Sequence, residues 1–328
     1  MKTSSTMIAA ALLSLFVVAE ASAANEYSPL LRTKKYAEAE KMASARLARE
    51  PANADAMVAK VDAILGAGPA SRVEEAVKLG EQCVASHPQT SNCHLAWGNA
   101  LGAKAMNAGI MSAMGYAGTI RDAFIKAVEL DPRNTEARFS LLQYYVQAPA
   151  LVGGGKGKAQ TLATQTAAIN PDAGKLMLAE LDLAADRYAN AEATLMALQP
   201  GSDEAVADKQ RDLLASLGFR YLGDKKFADS ERVFRVLQKR YPDSEMGLYG
   251  LGRLQQQQGR YREAIAAFEQ ATAVLDQANI HYRIGQAAQA LNDKPRAVAE
   301  YSKALAIRSG LAKTQESDAQ AQLKALRG

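Results

Sequence analysis

"YGLGRLQQQQGRYREAIAAFEQA", residues 249–271, decides the fold. It reads as helix, tight turn, helix. Leu251-Gly252 falls in the first helix, Gly259 ends it, and Tyr261, Ala264, Phe268 and Ala271 follow at spacings of 3, 4 and 3. That spacing lays one apolar stripe along an α-helix. The same face recurs upstream as Phe227, Ser230, Phe234 and Leu237, each 34 residues earlier, preceded by Leu217-Gly218 and closed by Pro242. Downstream it recurs again, 33 residues on, as Ala297, Tyr301 and Ala304. A period of this length marks a stack of helical hairpins, because one hairpin cannot bury its apolar stripe alone.

The Leu-Gly pair, the small residue, the aromatic, the Ala and the Pro resemble the signature of the tetratricopeptide repeat, with three near-consensus units over 211–311. Small residues let two helices cross closely, and the aromatic fills the space beside the crossing. Over 24–210 the units are degenerate, but helix-ending prolines persist at Pro51, Pro88, Pro132 and Pro171. Their separations of 37, 44 and 39 residues exceed 34 by 3, 10 and 5, which implies insertions. The reading is about eight repeats over 24–311, the first incomplete, and a polar capping helix within 312–328. The resemblance implies an all-α, right-handed superhelical solenoid.

Residues 1–23 read as a signal peptide: Lys2, an apolar run from Met7 to Val18, and the small-residue site Ala21-Ser22-Ala23. The run is shorter than the roughly 20 residues of a spanning helix, and no later stretch is apolar enough to cross a membrane. The expected product is exported, into a periplasm where the cell has two membranes. The net charge of +4 is spread among nearly as many carboxylates, without the clustered basic face of a nucleic-acid binder.

"GGGKGKAQT", residues 153–161, has the composition of a phosphate loop. Its spacing fails, since Val152 stands where a Walker loop needs Gly and Ala159 where it needs a hydroxyl. It reads as a five-residue enlargement of an inter-helix turn, with glycines serving geometry; anion capture by backbone N–H groups and lysines is the weaker reading. "MNAGIMSAMGYAG", residues 106–118, reads as the ten-residue enlargement of the preceding unit. Met106, Met111 and Met114 suit irregular packing or an adaptable contact better than a thioether copper site. Both insertions fall at the same end of consecutive units, so they are expected side by side on one edge: Ile110, Met111, Met114 and Tyr116 with Leu151, Lys156 and Lys158. "LAWGNALGAKAMNA", "AFIKAVELDPRNTEAR" and "YYVQAPALVGGGKGKA" together resemble a group of exported bacterial tetratricopeptide proteins that has no assigned reaction.

Cys83 and Cys93 flank the turn at Pro88. Export favours a disulfide, and two buried thiols are the alternative. His87 and His94 bracket the same turn, but zinc spacing is absent, so turn-capping histidines are expected and no metal or other cofactor is implied. No nucleophile stands with a base partner, and no enzyme activity is expected.

The family resemblance implies that first helices line a concave groove. This places Tyr249, Arg253 and Gln256 there, with Tyr282, Gln286 and Gln289 one unit later. Some family members grip a C-terminal carboxylate with Lys and Asn at positions where this chain has Tyr249 with Arg253 and Tyr282 with Gln286, a departure from that clamp. The expected function is a non-catalytic exported scaffold for a protein or peptide partner. The alternative is a small-ligand or metal binder at the insertion edge.

Overall fold

In a computed structural model, residues 26–68, 70–307 and 311–327 are described, with backbone only at 110–112. The signal peptide read at 1–23 lies outside these residues. The described residues begin with the five-residue α1 (Ser28–Arg32) and α2 (Tyr36–Arg49). Antiparallel pairs follow: α3 (Ala54–Ala67) with α4 (Val73–Ser86), α5 (Ser91–Ala108) with α6 (Ile110–Leu130), α7 (Thr135–Gln147) with α8 (Lys156–Ala167), and α9 (Pro171–Ala184) with α10 (Tyr188–Ala197). The near-consensus region forms α11 (Glu204–Gly223) with α12 (Phe227–Arg240), α13 (Met246–Gln257) with α14 (Tyr261–Val274), and α15 (Ala278–Ala290) with α16 (Lys294–Ile307). The last helix, α17 (Lys313–Arg327), packs on α16. Among the described residues there is no strand.

Four of the first helices, α3, α7, α9 and α11, start on one device. Asn53, Asn134, Asn170 and Asp203 each accept a hydrogen bond from a backbone N–H three residues on, at 3.0 to 3.2 Å. Each such cap stabilises its helix by about 1 kcal/mol. Tight turns within pairs put Lys34, Asp186, Lys225, Gly259 and Asn292 at positive φ.

Packing within pairs follows the small-against-aromatic rule. A Cβ on Gly218, Gly252 or Gly285 would lie 2.6, 2.5 or 2.9 Å from the ring of Phe234, Phe268 or Tyr301, each sixteen residues on. Gly98 faces Phe124 in the same way at 2.6 Å, but 26 residues separate them. The additional ten are the insertion. Elsewhere the sizes are exchanged: Ala179 precedes Leu195, and all of both side chains is buried. Phe219 packs against both the large N-terminal core cluster and the C-terminal one, so the core runs on as a ribbon.

The insertion at 106–118 is not the enlarged turn its composition suggested. Both helices simply lengthen, to 18 and 21 residues, and Gly109 at φ +77° is the whole break between them. Ala and Met are strong helix formers and supply six of the thirteen residues, so the insertion prolongs helix instead of looping out.

The solenoid curls until its start meets its middle. Arg32 pairs with Glu204 at 2.7 Å and Asp208 at 3.1 Å, Ser28 donates to Glu204, and Lys34 reaches Glu245 at 2.6 Å. The segment α1 therefore lies across the inner face, against α11 and the start of α13.

Candidate functional site

The C-terminal inner face is largely occupied by its own contacts. Tyr249 and Tyr282 are buried, 9% and 6% exposed, so their rings serve packing. Tyr249 lies edge-on to Phe219 and tilted against Phe268, and Tyr282 against Tyr301. The Tyr282 hydroxyl donates to Asp318 on α17 at 2.8 Å and accepts from Gln286 at 2.8 Å. Burial, with Asp318 beside it, pushes this phenol up to about 12. Gln289 accepts from Tyr301 at 2.9 Å and donates to Gln322 at 2.8 Å. The helix α17 thus ties off the polar groups of the last unit. Arg253 and Gln256 keep more freedom, each holding one contact at 3.5 Å, to Tyr249 and Gln286 respectively.

The edge is different. The prolonged α5 and α6, the face of α7 and the 148–155 turn enclose an apolar cleft of about 560 Å³. Ala113, Ala117, Ile120, Phe124 and Val152 are among its walls, and Asn99, Ser140, Gln143 and Gln147 supply neutral polar groups. Met106 and Met114 line it too, 81% and 40% exposed, while Leu151 stands on the adjoining turn at 84%. Large apolar side chains left this exposed together mark contact surfaces. Ile110 and Met111, also expected on this edge, have side chains outside the described residues. Tyr116 is half-buried under the Lys104 ammonium, 5.1 Å from its ring centre.

The glycine turn beside the cleft is shaped for structure. The N–H groups of Gly153, Gly154 and Gly155 donate to Ala150, Pro149 and Tyr145 carbonyls at 2.8 to 3.1 Å. Lys158 donates to the Gly153 carbonyl at 2.9 Å, and Lys156 points to solvent at the start of α8. A Cβ on Gly154 would lie 1.8 Å from the Ala148 carbonyl oxygen. Those three backbone donors are consumed within the turn and are not offered to an anion. The Tyr144 hydroxyl and Arg121 fasten the turn to α7 and α6 through the Val152 carbonyl, at 2.7 and 3.5 Å.

Cys83 and Cys93, both fully buried, are joined in a disulfide between α4 and α5. His87 and His94 reach the Ala52 and Pro88 carbonyls at 2.5 and 3.0 Å. Among the described residues no group of three His, Cys, Asp or Glu side chains is placed to hold a metal ion, and no helix is long and apolar enough to cross a membrane.

Sequence reasoning missed a second cavity, about 300 Å³, inside the curl. Asp62 of α3, Glu136 of α7 and Glu204 and Asp208 of α11 converge on it from helices far apart in the chain. Asp62 is half-buried, and that burial, reinforced by Glu136, pushes it up to about 8, while Glu136 itself remains exposed. A usable signal existed: Asp62 is a lone carboxylate in the apolar helix "AKVDAILGA", residues 59–67.

Paired helices stacked around a continuous core define a helical-repeat solenoid. Residues 217–273 and 249–312 match the tetratricopeptide repeat family model, so this part of the chain is built of tetratricopeptide repeats. No curated protein sequence matches it significantly. Yeast Tom70 is similar in structure, with a TM-score of 0.61 at 11% identity over 90% of this chain and 59% of that one. A tetratricopeptide repeat protein from Parabacteroides merdae aligns over 92% of this chain and 99% of its own, at 17% identity and a TM-score of 0.45. The Cut9 and Hcn1 hetero-tetramer of APC/C aligns at 18% identity and a TM-score of 0.46, over 92% of this chain and 54% of that one. The chain thus spans little more than half the length of two of these structures, and the likeness carries the fold alone.

Proposed function

We propose that the protein is a non-catalytic, exported scaffold of the cell envelope that docks a protein partner through the cleft between α5, α6, α7 and the 148–155 turn. The repeat fold suggests a protein-interaction scaffold. The observation that carries the choice of surface is the 560 Å³ apolar cleft flanked by exposed Met106, Met114 and Leu151. Methionines adapt their shape to a partner's side chains, and neutral amides at the rim suit peptide backbone. By contrast, the last unit's inner face is engaged by α17, and the inner face at α11 is crossed by α1. The periplasm is the compartment proposed, and the Cys83–Cys93 bridge supports an oxidising one.

The test is affinity capture from the envelope fraction of the native host, with the wild-type chain and a Met114→Asp/Leu151→Asp variant as baits. The account expects a discrete partner on the wild type that the variant loses. Equal capture by both baits would remove the cleft from the proposal. The same cleft is large enough for a small apolar ligand. That second reading gains if no protein is captured and an apolar dye bound to the wild type is lost from the variant.

A further inference from the structure

The chain has ten methionines, and three of them, Met106, Met111 and Met114, fall within one nine-residue stretch. Their surroundings set them apart from the rest. Met57 and Met177 are fully buried, and Met42, Met196 and Met246 are half-buried. Among the described residues Met106 and Met114 are the two exposed methionines, and both stand in the wall of the apolar cleft. A thioether gives up two electrons to a peroxide when the oxidant can reach its sulfur. Thiolates would ordinarily react as well, but Cys83 and Cys93 are the only cysteines and both are spent in a buried disulfide. The most accessible reduced sulfur among the described residues therefore lines the proposed docking surface.

We propose that Met106 and Met114, on the reading of this cleft as the docking surface, form an oxidation-sensitive modification site: peroxide closes the cleft to its partner, and reduction of the sulfoxides reopens it. In the step, a lone pair of the thioether sulfur attacks one peroxide oxygen, and the O–O bond breaks as the S–O bond forms. The hydroxide released takes the proton from the new S–OH group and leaves as water. Sulfur is oxidised by two electrons and the peroxide is reduced. A dithiol reductase reverses the step, giving the thioether, water and a disulfide. The effect on docking is one of desolvation. In the free chain a sulfoxide at either position stays largely in water, so the fold is undisturbed. Under a bound partner its S–O dipole loses that water. The side chains beside the two methionines in the wall, Ala103 and Ala105 on α5 and Ala113 and Ala117 on α6, carry no hydrogen-bond donor to replace it. A polar, chiral sulfoxide also forfeits the adaptable apolar fit of the thioether.

Limited treatment of the purified full chain with hydrogen peroxide tests this. Fluorescence of the apolar dye anilinonaphthalene sulfonate probes the cleft, and peptide mass spectrometry maps the oxidised residues. The cleft signal is the part of the dye fluorescence that the Met114→Asp/Leu151→Asp variant lacks. Met106 and Met114 are expected to become sulfoxides roughly ten-fold faster than Met57 and Met177, or more. Cleft dye should then bind roughly ten-fold more weakly, with helical circular dichroism unchanged. Binding should return after incubation with methionine sulfoxide reductases of both stereospecificities. In a Met106→Leu/Met114→Leu variant peroxide should leave the dye affinity where it started, whatever that value is. Equal oxidation of buried and exposed methionines, an unaltered dye affinity in the selectively oxidised chain, or a peroxide response retained by the double variant would each overturn the assignment. A chain that takes up no cleft dye before treatment would remove the docking surface itself, and the modification site with it.

Discussion

Lys34 and Glu245 stand 211 positions apart in the chain, yet the Lys34 ammonium lies 2.6 Å from the Glu245 carboxylate. The Glu245 side chain is only 6% exposed, while Lys34 retains 30%. The pair holds the first repeat against the start of α13 and closes the curl around the inner cavity. Truncating the lysine strands a buried carboxylate, although solvent near Lys34 softens the loss. Lys34→Ala is expected to cost about 2 kcal/mol in urea unfolding. Amide exchange should also speed up in residues 28–34. Unchanged exchange there would mean that the contact does not hold the closure.

The disulfide closes a loop of ten residues' separation between α4 and α5. Chain-entropy reasoning gives such a cross-link about 3 kcal/mol of stability. A Cys83→Ala/Cys93→Ala variant should lose about that amount by equilibrium denaturation, while keeping the wild-type helical circular dichroism at 20 °C.

Two glycine exchanges separate packing from propensity. Gly252→Ala would place a methyl 2.5 Å from the fully buried Phe268 ring, so overpacking of about 1–3 kcal/mol outweighs the gain in helix propensity. Gly115→Ala in α6 meets nothing within 4 Å, so it should stabilise the chain by up to about 1 kcal/mol. Opposite signs for the two in thermal melts are the expected outcome.

The sequence made the three C-terminal pairs legible because their glycines and aromatics keep a fixed separation, as Gly218 with Phe234 and Gly252 with Phe268 do. The same rule holds in α5 and α6 but is displaced by ten residues, which hides it from a periodic search. The tyrosines at 249 and 282 illustrate a different difficulty. A tyrosine on an inner helix can offer its ring to a partner or bury it in the repeat core, and only the burial of these two rings decides. Nothing in the local pattern indicated that α1 would cross to α11, or that Asp62 and Glu136 would face one cavity. Those relationships depend on how far the superhelix curls, which accumulates from small rotations at every unit.

Two groups, Asp62 and His281, contribute stability that declines as pH rises from acid toward neutrality, against the opposite slope of the lowered carboxyls of Glu40 and Glu300. Asp62 has a folded pKa raised to about 8, above roughly 3.9 for an unfolded aspartate. The folded state therefore binds the extra proton between those values, and stability falls with rising pH across that window. His281 accounts for the upper part of the decline. Its two ring nitrogens meet Glu300 and Asp276 at 2.5 and 2.6 Å, and the Glu300 hydrogen bond above all raises its pKa. Its contribution is complete below about 6.5 and is lost as pH climbs through the raised value. Asp62→Asn should flatten the acid-side slope, and His281→Gln only the part above about pH 6.5. Melting curves at half-unit pH steps would separate them.

The central claim is that the open apolar edge, and not the C-terminal inner face, receives the partner. Site-specific photo-crosslinking in the native host tests it most directly, with the reactive residue placed at Met114 in one strain and at Gln256 in another. The account predicts a discrete adduct at Met114 that disappears when Leu151→Asp is added, and none at Gln256. An adduct at Gln256 with none at Met114, in a protein equally abundant and folded, would contradict it.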